Sequence, residues 1–160
     1  MTINSKLNQL IVSSKELYHR LVLVVGDKDE CSEIIHEISK GYEAQPININ
    51  LKLSEKLLQL NHRRRQLKVK TLVEDLMRDE KDIAFLTDTE ILFDSSLQQD
   101  PLRFLQDISR NKVIVAHWGG KLSNDKLTYA VPSHSEYREY SSNKLVVINT
   151  DGETSFDIDL

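Results

Sequence analysis

The chain is poor in the residues that staple or interrupt a fold. Its 160 residues include one cysteine, three prolines, five glycines and one tryptophan. The lone Cys31 excludes an internal disulfide and suits a reducing compartment. So little proline and glycine leaves no composition for a long linker, and one domain is expected. No stretch approaches the ~20 apolar residues of a membrane span. The amino-terminal MTINSKLNQLIVSSKELYHR also lacks a signal-peptide core, so a cytoplasmic protein is expected. The five histidines lack metal-ligand spacing, no serine nucleophile elbow occurs, and Cys31 with His36 makes no protease pattern. A net charge of −4 gives no global attraction to nucleic acid, so any such surface has to be local. What is present is ordinary for a globular chain: 39% hydrophobic and 29% charged residues.

The most informative stretch is residues 21–40, LVLVVGDKDECSEIIHEISK. An unbroken aliphatic run, Leu21 to Val25, is what a strand buried on both faces requires. Gly26 lets the backbone turn, and Ile34, Ile35 and Ile38 follow at helical spacing up to a stop at Gly41. This is the strand–loop–helix opening of a nucleotide-binding α/β domain. The phosphate-loop pattern G-x-x-x-x-G-K-[ST], counted from Gly26, places Cys31 on the second glycine, Ser32 on the lysine and Glu33 on the hydroxyl. Shifting by one residue aligns Ser32 with the hydroxyl but puts Cys31 on the lysine.

Elsewhere Leu7, Leu10, Ile11, Ser14, Leu17 and Tyr18 share a helical face, with Thr2 or Asn4 as cap. Residues 46–51 alternate apolar and polar and read as a second strand. Ser54 reads as the cap of a short helix, and a further helix is expected over 67–78. Strands are expected at 82–88, 113–118 and 145–149, with a helix from Asp100-Pro101 to Arg110. A short edge strand at 127–131 and a helical turn at 133–140 complete the pattern. Alternating strands and helices predict a three-layer α/β fold around a mostly parallel sheet of about five strands. An amphipathic helix (1–19) would pack on a domain of residues 20–150, with 151–160 as a tail that pairs back or hangs loose.

Four groups carry candidate chemistry. Asp88 and Glu90 end an apolar strand, where a P-loop ATPase holds Mg²⁺ and orients water; two strand-end acids, one capping the next helix, are the alternative. Gly26, Lys28 and Ser32 would form the nucleotide loop, but Asp27, Asp29, Glu30 and Glu33 crowd it. Two like charges ~4 Å apart repel by roughly 4 kcal/mol at an effective dielectric of 20, more than the ~2 kcal/mol a helix dipole returns at best. Those acids instead suit the amino end of the following helix. Arg63, Arg64, Arg65, Lys68 and Lys70, next to His62, form the one dense basic cluster, suited to DNA or RNA phosphates; a solvated helix end, or pairing with acids on a partner, is the alternative. No aromatics interleave it for stacking single strands. His117 is a candidate γ-phosphate sensor or a packed sheet-edge histidine, and Arg103, Arg110 and Arg138 are candidate fingers for a neighbouring subunit.

The segments LKLSEKLLQLNHRRR, FLTDTEILFD, DPLRFLQDISRNKVIVAHWGG and LTYAVPSHSEYREY together resemble BrxF, the small P-loop component of type 3 BREX phage-defence systems. The resemblance spans residues 21–148. It implies a P-loop NTPase (AAA+-like) core without a lid domain, in a bacterial cytoplasmic protein. The implied partners are larger defence components, including a DNA methyltransferase and a helicase-type protein. Gly26 matches the first glycine of the loop, and Asp88 and Glu90 match its acidic strand end. Cys31, Ser32 and Glu33 depart from the Gly-Lys-Thr triplet. The expected function is therefore an accessory subunit acting mainly by assembly with protein partners, with double-stranded DNA as a further candidate partner. The alternatives are an ATP- and Mg²⁺-dependent ATPase completed by homo-oligomerisation, or a DNA-binding accessory.

Overall fold

Aliphatic runs bounded by polar turns define the centre of the molecule, seen in a computed structural model that describes residues 2–130 and 134–155. Strands β1 (Leu21–Val25), β3 (Ile83–Thr87) and β4 (Val113–Trp118) are buried at every position. With β2 (Ile47–Asn48) and β8 (Val146–Asn149) they form a five-stranded parallel sheet in the order β2-β3-β4-β1-β8.

Side chains alternate along each strand, so the sheet feeds two cores. Leu21, Leu23, Val25, Ala84, Leu86, Ile114 and Ala116 face helices α3 (Ile49–Leu57), α4 (His62–Leu76) and α5 (Pro101–Ile108). Val22, Val24, Phe85, Val113 and Val115 face α1 (Ile3–Ser14) and α2 (Lys28–Lys40). The result is the expected three layers. Each buried Val, Leu, Ile or Phe stabilises by ~1.5–3 kcal/mol relative to exposure, so neither core tolerates a register slip. No helix among the described residues is long and apolar enough to cross a membrane.

Several local expectations are corrected. Helix α1 is capped by Thr2, whose side chain accepts from the Ser5 amide, and it stops at Ser14, so Leu17 and Tyr18 lie beyond it. The alternation at 46–51 gives only two strand residues. Asn48 Oδ1 accepts from Leu51 N at 3.0 Å and starts α3, which buries Ile49, Leu53 and Leu57 at a spacing of four. Ser54 lies inside that helix and donates to Leu51 O. Helix α4 begins at His62 rather than 67, capped by Asn61 Oδ1 on Arg64 N at 2.9 Å.

The expected strand at 127–131 is present as β6 (Lys126–Tyr129), but as the centre of a separate antiparallel sheet between β5 (Lys121–Ser123) and β7 (Arg138–Ser141), and β7 takes the end of the expected helical turn. One turn, Tyr137 N to His134 O, precedes β7, while residues 131–133 lie outside the described residues. The tail turns back on β8, with an antiparallel bridge between Ile148 and Thr154; residues 156–160 are outside the described set.

Trp118 joins the two sheets. It is fully buried and donates Nε1–H to Thr128 O at 2.9 Å, while Phe93 stacks on Tyr129 beside it. A Cβ on Gly120 would stand 1.6 Å from that same carbonyl oxygen. Gly120→Ala therefore has to displace β6, at a cost of about 1–3 kcal/mol. The expected readout is a lower melting temperature and a red-shifted emission from Trp118, the one tryptophan in the chain.

Candidate functional site

Parallel strands bring the carboxyl ends of β1, β3, β4 and β8 to one edge, the place where open α/β sheets bind ligands. A cleft of about 440 Å³ opens there, lined by Gly26, Lys28, Glu90, His117, Tyr129 and Glu136 among others. The structure thus brings Gly26, Lys28, Asp88, Glu90 and His117 together, although they span 92 positions of sequence from Gly26 to His117. Ser32 lies in the second turn of α2 and does not line the cleft.

The chain leaves β1 through only two residues, Gly26 and Asp27, before α2 begins at Lys28. Gly26 has φ +141°, and a Cβ there would lie 2.8 Å from Thr150, so glycine is required by both conformation and space. Asp27 caps α2: its Oδ2 accepts from the amides of Asp29 at 3.1 Å and Glu30 at 3.2 Å. Its carbonyl accepts from Cys31 N at 2.9 Å. A phosphate cradle needs such amides free and an extended loop to carry them. Here the amides of Asp29, Glu30 and Cys31 are engaged, and Cys31, Ser32 and Glu33 are already helical. The acids serve the helix terminus, as the charge pattern suggested.

Lys28 is the cation of the loop, and it points to Asp88. Its Nζ lies 2.9 Å from Asp88 Oδ1. The hydrogen bond and charge of Asp88, then the charge of Glu90, raise the Lys28 pKa above its ordinary value. Asp88 itself turns out of β3 with φ +50°, a conformation Asp tolerates better than most residues. Its carbonyl accepts from Asn50 N at 2.7 Å. The Asn50 side chain then spans the next turn, donating to Glu90 Oε2 at 2.6 Å and accepting from Ile91 N at 2.8 Å. The carboxylate oriented by a fixed amide is therefore Glu90, and the one facing a cation is Asp88. No group of three or more His, Cys, Asp or Glu side chains is placed to hold a metal ion among the described residues.

His117 is buried at 2% exposure, with Nε2 3.3 Å from Gly26 O. A carbonyl only accepts, so Nε2 donates; Nδ1 has no partner. Thr89 Oγ donates to the His117 carbonyl at 2.6 Å, tying the β3 turn to β4. Sequence reasoning missed Asn50, Thr89 and Tyr129. Asn50 and Thr89 act across 40 and 28 residues, a separation that leaves no local signal.

The arginine candidates scatter. Arg110 follows α5 and stacks over Tyr18, 4.5 Å from the ring centroid, before β4 starts and thus at the opposite edge of the sheet. Arg103 is exposed on α5. Arg138 opens β7, exposed and in register with the cleft residue Tyr129. One member of the basic cluster leaves its surface. Arg65 turns inward, and its Nε donates to Leu57 O and Leu60 O, both at 2.8 Å, closing the end of α3. Arg63, Arg64, Lys68 and Lys70 remain exposed.

No protein-family model matches the chain, and neither a curated protein nor a solved structure matches it significantly.

Cys31 stands five residues after Gly26, where the phosphate-loop pattern would have its second glycine. It is fully buried, and burial, with Asp27 and Glu30, pushes its thiol up to about 12. Thiolate is the reactive form, so Cys31 is expected to ignore Ellman's reagent at pH 8 and to react fully once the chain is unfolded in guanidinium. Rapid native-state labelling would show that the loop opens.

Proposed function

We propose that this chain is a binding subunit built on an ATPase-like scaffold, working by assembly with protein partners rather than by nucleotide turnover. The observation that carries the reading is the short, self-satisfied turn after β1. Helix α2 starts at Lys28, three of its first amides are already hydrogen-bonded, and Lys28 is paired with Asp88. A triphosphate entering the cleft would meet Asp27, Glu90 and Glu136 and would have to pull Lys28 away from Asp88. Mg²⁺ at Asp88 would face the same ammonium. The residues present do not fit Mg²⁺-ATP.

The parallel sheet, the glycine after β1 and the acids after β3 support the P-loop, AAA+-like ancestry implied by the resemblance to the small component of type 3 BREX systems. On that reading the partners are the larger proteins of a bacterial phage-defence complex, a methyltransferase and a helicase-type protein among them. Retention of the scaffold without its phosphate chemistry is what a subunit selected for its surfaces requires.

Calorimetric titration of the purified chain with Mg²⁺-ATP, and separately with ADP, should give no binding heat, and the melting temperature should not move. A ligand at 100 times its dissociation constant would add about 2.7 kcal/mol of stability, a readily measured shift. Low-micromolar binding of either nucleotide would contradict the reading.

A further inference from the structure

Three of the five large apolar side chains exposed among the described residues fall on one helical hairpin, α3–α4: Leu51 at 55%, Leu58 at 77% and Leu67 at 71%. Leu51 lies on α3 and Leu58 caps its carboxyl end; seven residues apart, they fall on the same side of the helix. Leu67 stands on the outer crest of α4, opposite the buried Val69 and Val73. Its helical neighbours at three and four residues are Arg63, Arg64 and Lys70, all exposed. Beside Leu58 a concavity of about 130 Å³ runs between Leu57, Ile91, Leu97, Arg65 and Asp94, on the scale of one amino-acid side chain.

The charge of the hairpin is opposite to that of the protein. Residues 51–70 carry seven of the 21 Lys and Arg residues and one of the 25 Asp and Glu residues, in a chain of net charge −4. His62, Arg63 and Arg64 occupy the first turn of α4, where no acid balances the positive helix end. The two guanidinium groups so placed oppose the positive end of the helix dipole. A local rule broken without an internal gain marks a surface shaped for something else. Asp94, which shares the concavity with Arg65, is already held ionised by the Ser96 side chain and amide.

We propose that the exposed α3–α4 face docks an acidic protein segment with leucine-sized apolar anchors. The proposal rests on the assembly reading and names the chemistry of the partner. The anchors cover Leu51, Leu58 and Leu67, one entering the concavity beside Leu58, and the acids meet Arg63, Arg64, Lys68 and Lys70. Duplex DNA would use the cations but leave three leucines against water and phosphate. An anionic membrane would take both, but the concavity fits a side chain and no aromatic joins the leucines. Cations surrounding an apolar anchor are the complement of an amphipathic acidic helix.

The test uses a fluorescein-labelled helical peptide with leucine on one face and glutamate on the other, read by anisotropy against the whole chain. Binding should weaken about tenfold, ~1.4 kcal/mol, in the double variant Leu58→Ser, Leu67→Ser. Arg63→Ala with Arg64→Ala should weaken it and flatten its salt dependence. A peptide with its leucines replaced by serine should bind about tenfold more weakly, again ~1.4 kcal/mol. These positions are exposed, so unchanged Trp118 emission should confirm that each variant folds. The proposal is overturned if the peptide fails to bind or the variants bind it equally well. It is also overturned if duplex DNA or phosphatidylglycerol vesicles bind more tightly and ignore the leucine changes. Ultracentrifugation showing a wild-type oligomer that the leucine variant dissociates would assign the face to a second copy instead. Nucleotide binding at the Gly26 turn would sink the assembly reading separately, because it is measured at the other site.

Discussion

Total burial of β1, β3 and β4 is the constraint on which the rest depends. No position on these strands faces solvent, and apart from Thr87 and His117, at the carboxyl ends of β3 and β4, their residues belong to one of two cores. Function is pushed to what surrounds the sheet: the turns at its carboxyl edge and the outer faces of its helices. The same constraint explains Gly26. The strand must end where its buried run ends, Thr150 crowds the turn beside it, and a residue without Cβ has to make the exit. At that edge two side chains satisfy backbone groups: Thr89 donates to the His117 carbonyl, and Asn50 accepts from the Ile91 amide in the turn after β3.

At the carboxyl edge, electrostatics decides which groups the turn after β1 leaves free. A working phosphate loop concentrates free amides and a lysine on one point. In this chain Asp27 takes the amides of α2, and Asp88 takes the lysine. Both interactions are modest: the Lys28–Asp88 pair is half exposed on the lysine side, in the range of ~0–1 kcal/mol for surface pairs. Their importance is geometric. They use up the cationic groups that would otherwise draw a phosphate, and they leave Glu90 and Glu136 facing the cleft.

Much of the frame was legible in the sequence because buried strands and amphipathic helices have strong periods. β1, α2, β3, α5, β4 and β8 fall where their apolar patterns predict. The failures have physical causes. Ile47, Ile49 and Leu51 alternate like a strand, but the Asn48 cap won, and spacing by four from Ile49 to Leu57 took over. The start of α4 was hidden because its first turn carries cations, the charge a helix amino end disfavours. Of the small antiparallel sheet only β6 was legible; β5 and β7, of three and four residues and mostly exposed, are too short for any period. At the site, the strand-end acids and the lack of a phosphate-loop lysine were readable. The pairing of Lys28 with Asp88 across 60 residues, and the inward turn of Arg65, needed the tertiary structure.

The central claim is that the turn after β1 is closed by its own residues. Amide shifts of Gly26, Lys28, Asp29, Glu30 and Cys31 in a ¹⁵N-labelled sample, followed as Mg²⁺-ATP is added, test it most directly. The account predicts that these amides keep their positions up to millimolar nucleotide. Saturable movement of this set, with the Lys28 ammonium leaving Asp88, would contradict it.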